Sequence, residues 1–217
     1  MEEEKNEEKR KSKEIYWVIG TMVGLVIIFL VASTIFQSLR TFNYNGLTFT
    51  KEYFGEIPIF RYSYNSIVTG SVASPKSVKP INLVLRGDPR ENNVPIDGKI
   101  EFPRGKTIYF GFNSEGLTQC PYSTLSVATF SSFIASNGFT VLGGTTNETE
   151  ANETNLKYVT CEKFPENPVI IFKASDETLI HKENSCYTVN VANCEILPAV
   201  EKLMVQALIE AKERANL

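Results

Sequence analysis

The stretch Lys106 to Val141, KTIYFGFNSEGLTQCPYSTLSVATFSSFIASNGFTV, decides the fold class. Thr107 to Phe112 (TIYFGF) is an apolar run rich in aromatic and β-branched residues, the composition of a buried strand. Pro121 stands where a helix tolerates proline, in its first turn, and Leu125, Ala128, Phe130, Phe133 and Ile134 recur up to the stop Asn137-Gly138. Phe139 to Leu142 then resumes as a strand. Strand, helix and strand in that order predict a mixed α/β domain.

Working outward, the same signals continue on both sides. Toward the N-terminus, Leu47 to Tyr53 and Ile57 to Tyr64 read as paired strands around Phe54-Gly55-Glu56, and Ile81 to Leu85 as a third. The turn-forming loop RGDPRENN stops that strand, and Lys99 to Phe102 reads as a short return strand. Toward the C-terminus, Leu156 to Cys161, Val169 to Phe172, Thr178 to His181 and Tyr187 to Val191 read as strands, with Asp176-Glu177 as a hairpin tip. Glu195 to Arg214 has amphipathic helix spacing, with Ile196, Val200, Leu203 and Ala207 on one stripe and Leu197, Met204, Leu208 and Ala211 beside it. Pro198 fits only its first turn.

Before this domain lies a different kind of segment. Ile15 to Phe36, IYWVIGTMVGLVIIFLVASTIF, runs for 22 residues without a charge. At 1.5 Å per residue it spans about 33 Å, which matches a hydrocarbon core of about 30 Å. Lys9, Arg10, Lys11 and Lys13 precede it, whereas the next fifteen residues hold only Arg40 and Lys51, so the basic flank is expected to stay cytoplasmic. The expected layout is a disordered cytoplasmic tail over Met1 to Glu14, a membrane anchor over Ile15 to Phe36, a linker over Gln37 to Asn45, and one extracytoplasmic mixed-sheet domain from Gly46 to Leu217. The lipid bilayer is then a partner through Ile15 to Phe36. A cleaved signal peptide is the rival reading, but the run exceeds the usual apolar length of about 7 to 15 residues.

Composition excludes several function classes. Among 217 residues, 22 Lys and Arg stand against 25 Asp and Glu, leaving no surplus to neutralise nucleic-acid phosphates. His181 is the sole histidine, so a two-histidine metal site is impossible. The four cysteines, Cys120, Cys161, Cys186 and Cys194, all follow the apolar run and lack zinc-ribbon spacing, so two disulfides are expected. Three pairings exist. Local geometry favours Cys186 with Cys194, which closes a short loop, and Cys120 with Cys161, which joins the head of a buried helix to a neighbouring strand. Two sequons, Asn147-Glu-Thr149 and Asn152-Glu-Thr154, fall in a polar stretch that reads as an exposed loop, which makes Asn147 and Asn152 candidate glycosylation sites.

The segment from Lys106 onward resembles the active-site unit of glutaredoxins and other thioredoxin-like proteins. The matching residues are Cys120-Pro121-Tyr122-Ser123 at a helix start and, 48 residues after Cys120, Asn167-Pro168, followed by a predicted hairpin and a final helix. The resemblance implies that Cys120 is a thiolate nucleophile stabilised by the helix N-terminus, and that Pro168 is a cis-proline beside it. Ser123 replaces the family's frequent second cysteine, and Thr145 to Glu166 lacks its expected helix. The overall layout also resembles that of uncharacterised single-pass archaeal membrane proteins, which implies no activity.

Other motifs are plain. Arg86-Gly87-Asp88 is an adhesion-type tripeptide whose following Pro89 makes it a turn. His181 lies within a strand, and Asp88, Asp97, Glu115 and Asp176 occupy turns. Gly143-Gly144 lacks the Lys-Ser or Lys-Thr of a phosphate loop. No cofactor is indicated. The expectation is a membrane-anchored surface module with a structural or binding role toward a protein partner. Its alternatives are a tethered thiol-disulfide protein using Cys120 and a pilin-like subunit.

Overall fold

The computed structural model describes residues 2–68 and 77–215. The chain divides into two compact units, Met1–Phe42 and Asn43–Leu217. The first unit holds helix α1 (Glu2–Arg40). Within α1, Tyr16–Phe36 is long and apolar enough to cross a membrane, with a mean hydropathy of 2.5, and none of it is buried by protein. The expectation of a disordered tail is corrected, because the helix begins at Glu2. Glu, Lys and Arg are strong helix formers, and no Gly or Pro interrupts them before the apolar run. Gln37 to Asn45 is likewise no plain linker: α1 reaches Arg40, and β1 (Thr41–Tyr44) follows.

The second unit contains two sheets rather than one. The smaller is antiparallel, in the order β1-β2-β3-β4, with β2 (Leu47–Phe54), β3 (Ile57–Val68) and β4 (Ser77–Leu85). Asn45 and Gly46 form the β1–β2 turn at φ 48° and 80°, the left-handed pair that Asn-Gly supplies most readily. Leu47, Phe49, Phe60, Leu83 and Leu85 are buried on one face of this sheet.

The larger sheet has the order β5-β10-β11-β9-β6-β7-β8. Its strands are β5 (Ile96–Asp97), β6 (Thr107–Phe112), β7 (Thr140–Thr145), β8 (Lys157–Tyr158), β9 (Val169–Ala174), β10 (Leu179–Glu183) and β11 (Cys186–Val191). The five from β8 to β11 by way of β7, β6 and β9 run parallel, while β10 is antiparallel to β11. Three helices complete the unit: α2 (Ser123–Ser136), α3 (Glu148–Thr154) and α4 (Ile196–Ala215). Phe110, Phe130 and Phe172 cluster where α2 meets the large sheet, with ring centroids 5.0 to 6.0 Å apart.

Helix α4 is the centre of the unit. It packs on α2 and on β10 and β11, and it also bonds to the small sheet and its loops. Lys202 Nζ donates to Tyr44 Oη and to the Asn92 carbonyl, and Lys212 Nζ donates to the Gly46 carbonyl. An amphipathic helix was expected to bury one stripe. Here Glu201, Val205, Ile209 and Glu210 are buried as well as Ile196, Val200 and Leu203, because a second sheet covers the other face.

Two strand expectations and one loop expectation are corrected. Lys99 to Phe102 is not a strand, and β5 lies earlier, beside β10. Tyr187 Oη takes over the pairing there, donating to the Glu101 carbonyl at 2.6 Å and accepting from the Glu101 amide at 3.0 Å, while Ile100 is fully buried. Asp176-Glu177 is not a hairpin tip, since β9 and β10 do not pair. The apolar VIIF of β9 takes a central position and the more polar LIHKE of β10 a peripheral one, so the hairpin closes instead between β10 and β11 at Asn184-Ser185. The polar stretch after Thr145 is not only loop, because Asn147 Oδ1 caps α3 by accepting from the Glu150 amide.

The disulfides are Cys120–Cys194 and Cys161–Cys186, which corrects the expected pairing. Cys186 opens β11 and Cys194 lies beyond its far end. A six-residue strand holds them roughly 20 Å apart, at opposite edges of the sheet, so the short loop between them cannot close. The sequence separation of 74 for Cys120–Cys194 corresponds to a loop-closure contribution of about 4 kcal/mol. Replacing both Cys120 and Cys194 by Ala should therefore lower the urea-derived unfolding free energy by a few kcal/mol, and peptide mapping of the native protein should recover the 120–194 and 161–186 cross-links.

Candidate functional site

The residues matched to the thioredoxin-like site do not meet. β6 and β9 are neighbours, with Tyr109 level with Val169, but they run parallel. Pro168 therefore sits at the N-terminal edge, where its carbonyl accepts from the Tyr109 amide, while Cys120 follows the opposite end of β6. The paired run Tyr109 to Phe112 alone separates the two levels by roughly 10 Å. There is no cis peptide among the described residues, so Pro168 is trans. Cys120 is buried and disulfide-bonded to Cys194. The cis-proline contact that the resemblance implies is absent.

That disulfide also occupies the place where a parallel sheet usually binds ligands. The connections leave β6 in opposite directions, to β7 on one side and eventually to β9 on the other, and such a switch point opens a crevice at the C-terminal strand ends. Here the loop after β6 lies across it. The Asn113 amide donates to the Phe172 carbonyl, and an added Cβ on Gly116 would come within 2.9 Å of the Ala174 Cβ. Cys120–Cys194 then ties this loop to the start of α4. On the opposite edge, Cys161–Cys186 holds the segment after β8 beside the start of β11. Four cysteines thus clamp both ends of one sheet.

The remaining sequence candidates stay apart. Asn147 and Asn152 are both exposed, the first as the cap of α3 and the second within it. His181 Nδ1 lies 2.8 Å from Asp97 Oδ2 on the exposed β10–β5 edge, and all four cysteines are disulfide-bonded. Asp88 is held by Arg90 in a two-point contact and so does not present an adhesion carboxylate. Glu115 and Asp176 are exposed and join no metal-binding cluster among the described residues.

Three sizeable concavities lie among the described residues. One of about 460 Å³ lies between the end of α2, α4 and the segment Ile100 to Arg104. A cleft of about 480 Å³ lies between the flank of α2 and β7, floored by Phe110 and Phe112 and opened by Gly143, which has no neighbour where a Cβ would be. The third, about 530 Å³, is a shelf between the free edge of β4 and the outer face of α2. β4 is the last strand of its sheet, and α2 is held to β3 by a bond from Asn137 Nδ2 to Tyr64 Oη at 2.8 Å. Ile81 to Val84 form the wall of the shelf, with Leu125, Ala128, Thr129 and Ser132 as its floor. Phe54, Ile57 and Val84 are exposed at its lip.

One end of the shelf is polar. Glu201 projects from α4, 5% exposed, and its carboxylate accepts from the Arg86 amide at 2.6 Å and the Gly87 amide at 3.1 Å. Burial pushes its carboxyl up to about 7, against the downward pull of those amides and of the Arg86 charge. The Arg86 guanidinium lies 5.5 Å from the centre of the Tyr122 ring and makes no ion pair among the described residues. Sequence reasoning missed Glu201, although it falls between Leu197 and Met204 on the second apolar stripe, where a carboxylate is out of pattern. It also began the β4 strand at Ile81. Pro80 obscured the true start at Ser77, since proline is tolerated on a sheet edge.

With this geometry in hand, comparison with known proteins adds no relative: no protein-family model matches the chain, and neither curated proteins nor solved structures yield a similar one.

Glu201 gives the unit a pH dependence of definite sign. The folded carboxyl titrates near 7 and an unfolded one near 4.5, so between these values the folded state holds a proton that the unfolded state has lost. Stability should fall as pH rises across that window, by up to about 3 kcal/mol. Urea unfolding at pH 5 and pH 8 measures this, and Glu201→Gln should flatten the difference.

Proposed function

We propose that this protein is a membrane-anchored, extracytoplasmic binding module. Its N-terminal helix holds it to the cell membrane with the basic flank inside, and its disulfide-clamped domain presents the β4–α2 shelf to a partner. The observation that carries the reading is the shelf itself. It combines exposed apolar side chains at Phe54, Ile57 and Val84 with an apolar floor, beside a buried carboxylate and the Arg86 guanidinium, which makes no ion pair among the described residues. Scattered apolar residues on a surface need no explanation, but a concave cluster next to convergent polar groups is the usual form of a binding site.

Location follows from two supports. A helix of this length and hydropathy suits a bilayer, and two disulfides suit an oxidising compartment. Asn147 and Asn152 are accessible for glycosylation on that side. Binding rather than catalysis is favoured because the cysteines are paired, and His181 faces Asp97 and lines none of the three concavities.

Protease added to intact cells should release the C-terminal domain and leave a short membrane-bound fragment. Protection of the domain until the membrane is permeabilised would reverse the orientation. If the chain is recovered only in the medium, starting beyond Phe36, the apolar run is a cleaved leader and the anchor reading fails.

A further inference from the structure

The wall of the shelf is an open sheet edge, and the register shows which backbone groups it offers. Phe54 and Ile57 face each other across the two-residue turn Gly55-Glu56, so they form the hydrogen-bonded pair that closes the β2–β3 hairpin. Alternation along β3 then turns Phe60, Tyr62 and Tyr64 toward β4, where their partners are Leu85, Leu83 and Ile81. The residues between, Asn82 and Val84, must direct their N–H and C=O groups to the open side. Pro80 gives the same phase independently, because its nitrogen cannot donate to β3 and so belongs on the open edge. Outside the sheet ladder, no hydrogen bond engages the backbone of Asn82 or Val84 among the described residues.

We propose that the β4–α2 shelf binds an extended peptide segment of a protein partner, which adds to the small sheet as a fifth strand along Asn82 and Val84. This rests on the binding-module reading and names the class of partner. The added strand would exchange hydrogen bonds with those two residues and lay alternate apolar side chains on Leu125, Ala128 and Thr129 of α2. A carboxylate in the segment would pair with Arg86 at the C-terminal end of β4, which makes no ion pair among the described residues. β4 lacks the devices that protect an edge over this stretch: Lys79 and Pro80 guard its first half, but Ile81 to Leu85 contains no charge, proline or bulge.

A second copy of the chain fits less well. In an antiparallel β4–β4 pair centred on Leu83, Arg86 of each copy would lie beside Pro80 and Lys79 of the other, which sets like charges together. A single extended segment that carries a carboxylate avoids that repulsion.

The test uses the full-length protein in lipid nanodiscs and a random twelve-residue peptide library displayed on phage. Selected peptides should share alternating apolar positions and an acidic residue at one end. The tightest of them, synthesised and bound, should slow hydrogen exchange at the Asn82 and Val84 amides by at least tenfold. Val84→Pro removes one outward donor and should weaken binding tenfold or more. Ser132→Lys projects a charge into the shelf from an exposed position on α2, so it should do the same with an unchanged melting temperature. Ser132→Lys decides the matter if the proline variant does not fold. The proposal fails if no consensus emerges, if protection falls at Gly143 and the α2–β7 cleft, or if a peptide-free dimer already protects Asn82 and Val84. Since the nanodisc sample does not depend on orientation in the cell, a failure here is distinct from a failure of the protease experiment.

Discussion

Everything in the second unit depends on the burial of α4 between two sheets. A helix covered on one side would leave the face of Glu201, Val205 and Ile209 in water. Here that face closes the small sheet, and Ile196, Val200 and Leu203 also lie fully buried. The arrangement forces a carboxylate into a low-dielectric position, which costs free energy unless donors meet it. The Arg86 and Gly87 amides do so, and the same bonds fix the loop that leaves β4. The polar end of the shelf is thus a consequence of how the core is closed.

The disulfides act on the same element. Cys194 lies just before α4, and its bond to Cys120 joins the starts of the two helices beneath the small sheet. With the other bond at the opposite edge, the large sheet is held at both ends. The C-terminal crevice that parallel sheets use for small ligands is thereby taken up by the loop after β6 and its cross-link. The free edge of β4 and the flank of α2 stay open beside it.

Two glycines show how tightly the outer face of the large sheet is covered. A Cβ on Gly111 would meet Ile171 and Thr146, and one on Gly144 would run into the Lys157 carbonyl. The segment around Lys157 to Phe164 crosses directly over them, with Tyr109 and Phe164 stacked 3.8 Å apart and Lys157 over both rings. The role of the two glycines is to admit a neighbouring backbone at a distance no side chain would permit.

Local chemistry was readable from the residues alone. TIYFGF predicts β6 with both its ends, the spacing from Leu125 to Ile134 predicts α2, and the stripes from Ile196 to Ala211 predict α4, because each pattern matches the period of its own element. The apolar run at Tyr16 to Phe36 is equally local. What no spacing contains is direction and partnership. Whether β9 runs parallel or antiparallel to β6 separates a thioredoxin-like site from the present arrangement, and that choice is made by the path of the chain through β7, α3 and β8. Cys186 and Cys194 are near in sequence yet held apart by an extended strand. Glu201 is an ordinary helical carboxylate until a second sheet covers it. These are properties of packing between distant segments, so tertiary structure alone decided the disulfides, the buried charge and the open edge.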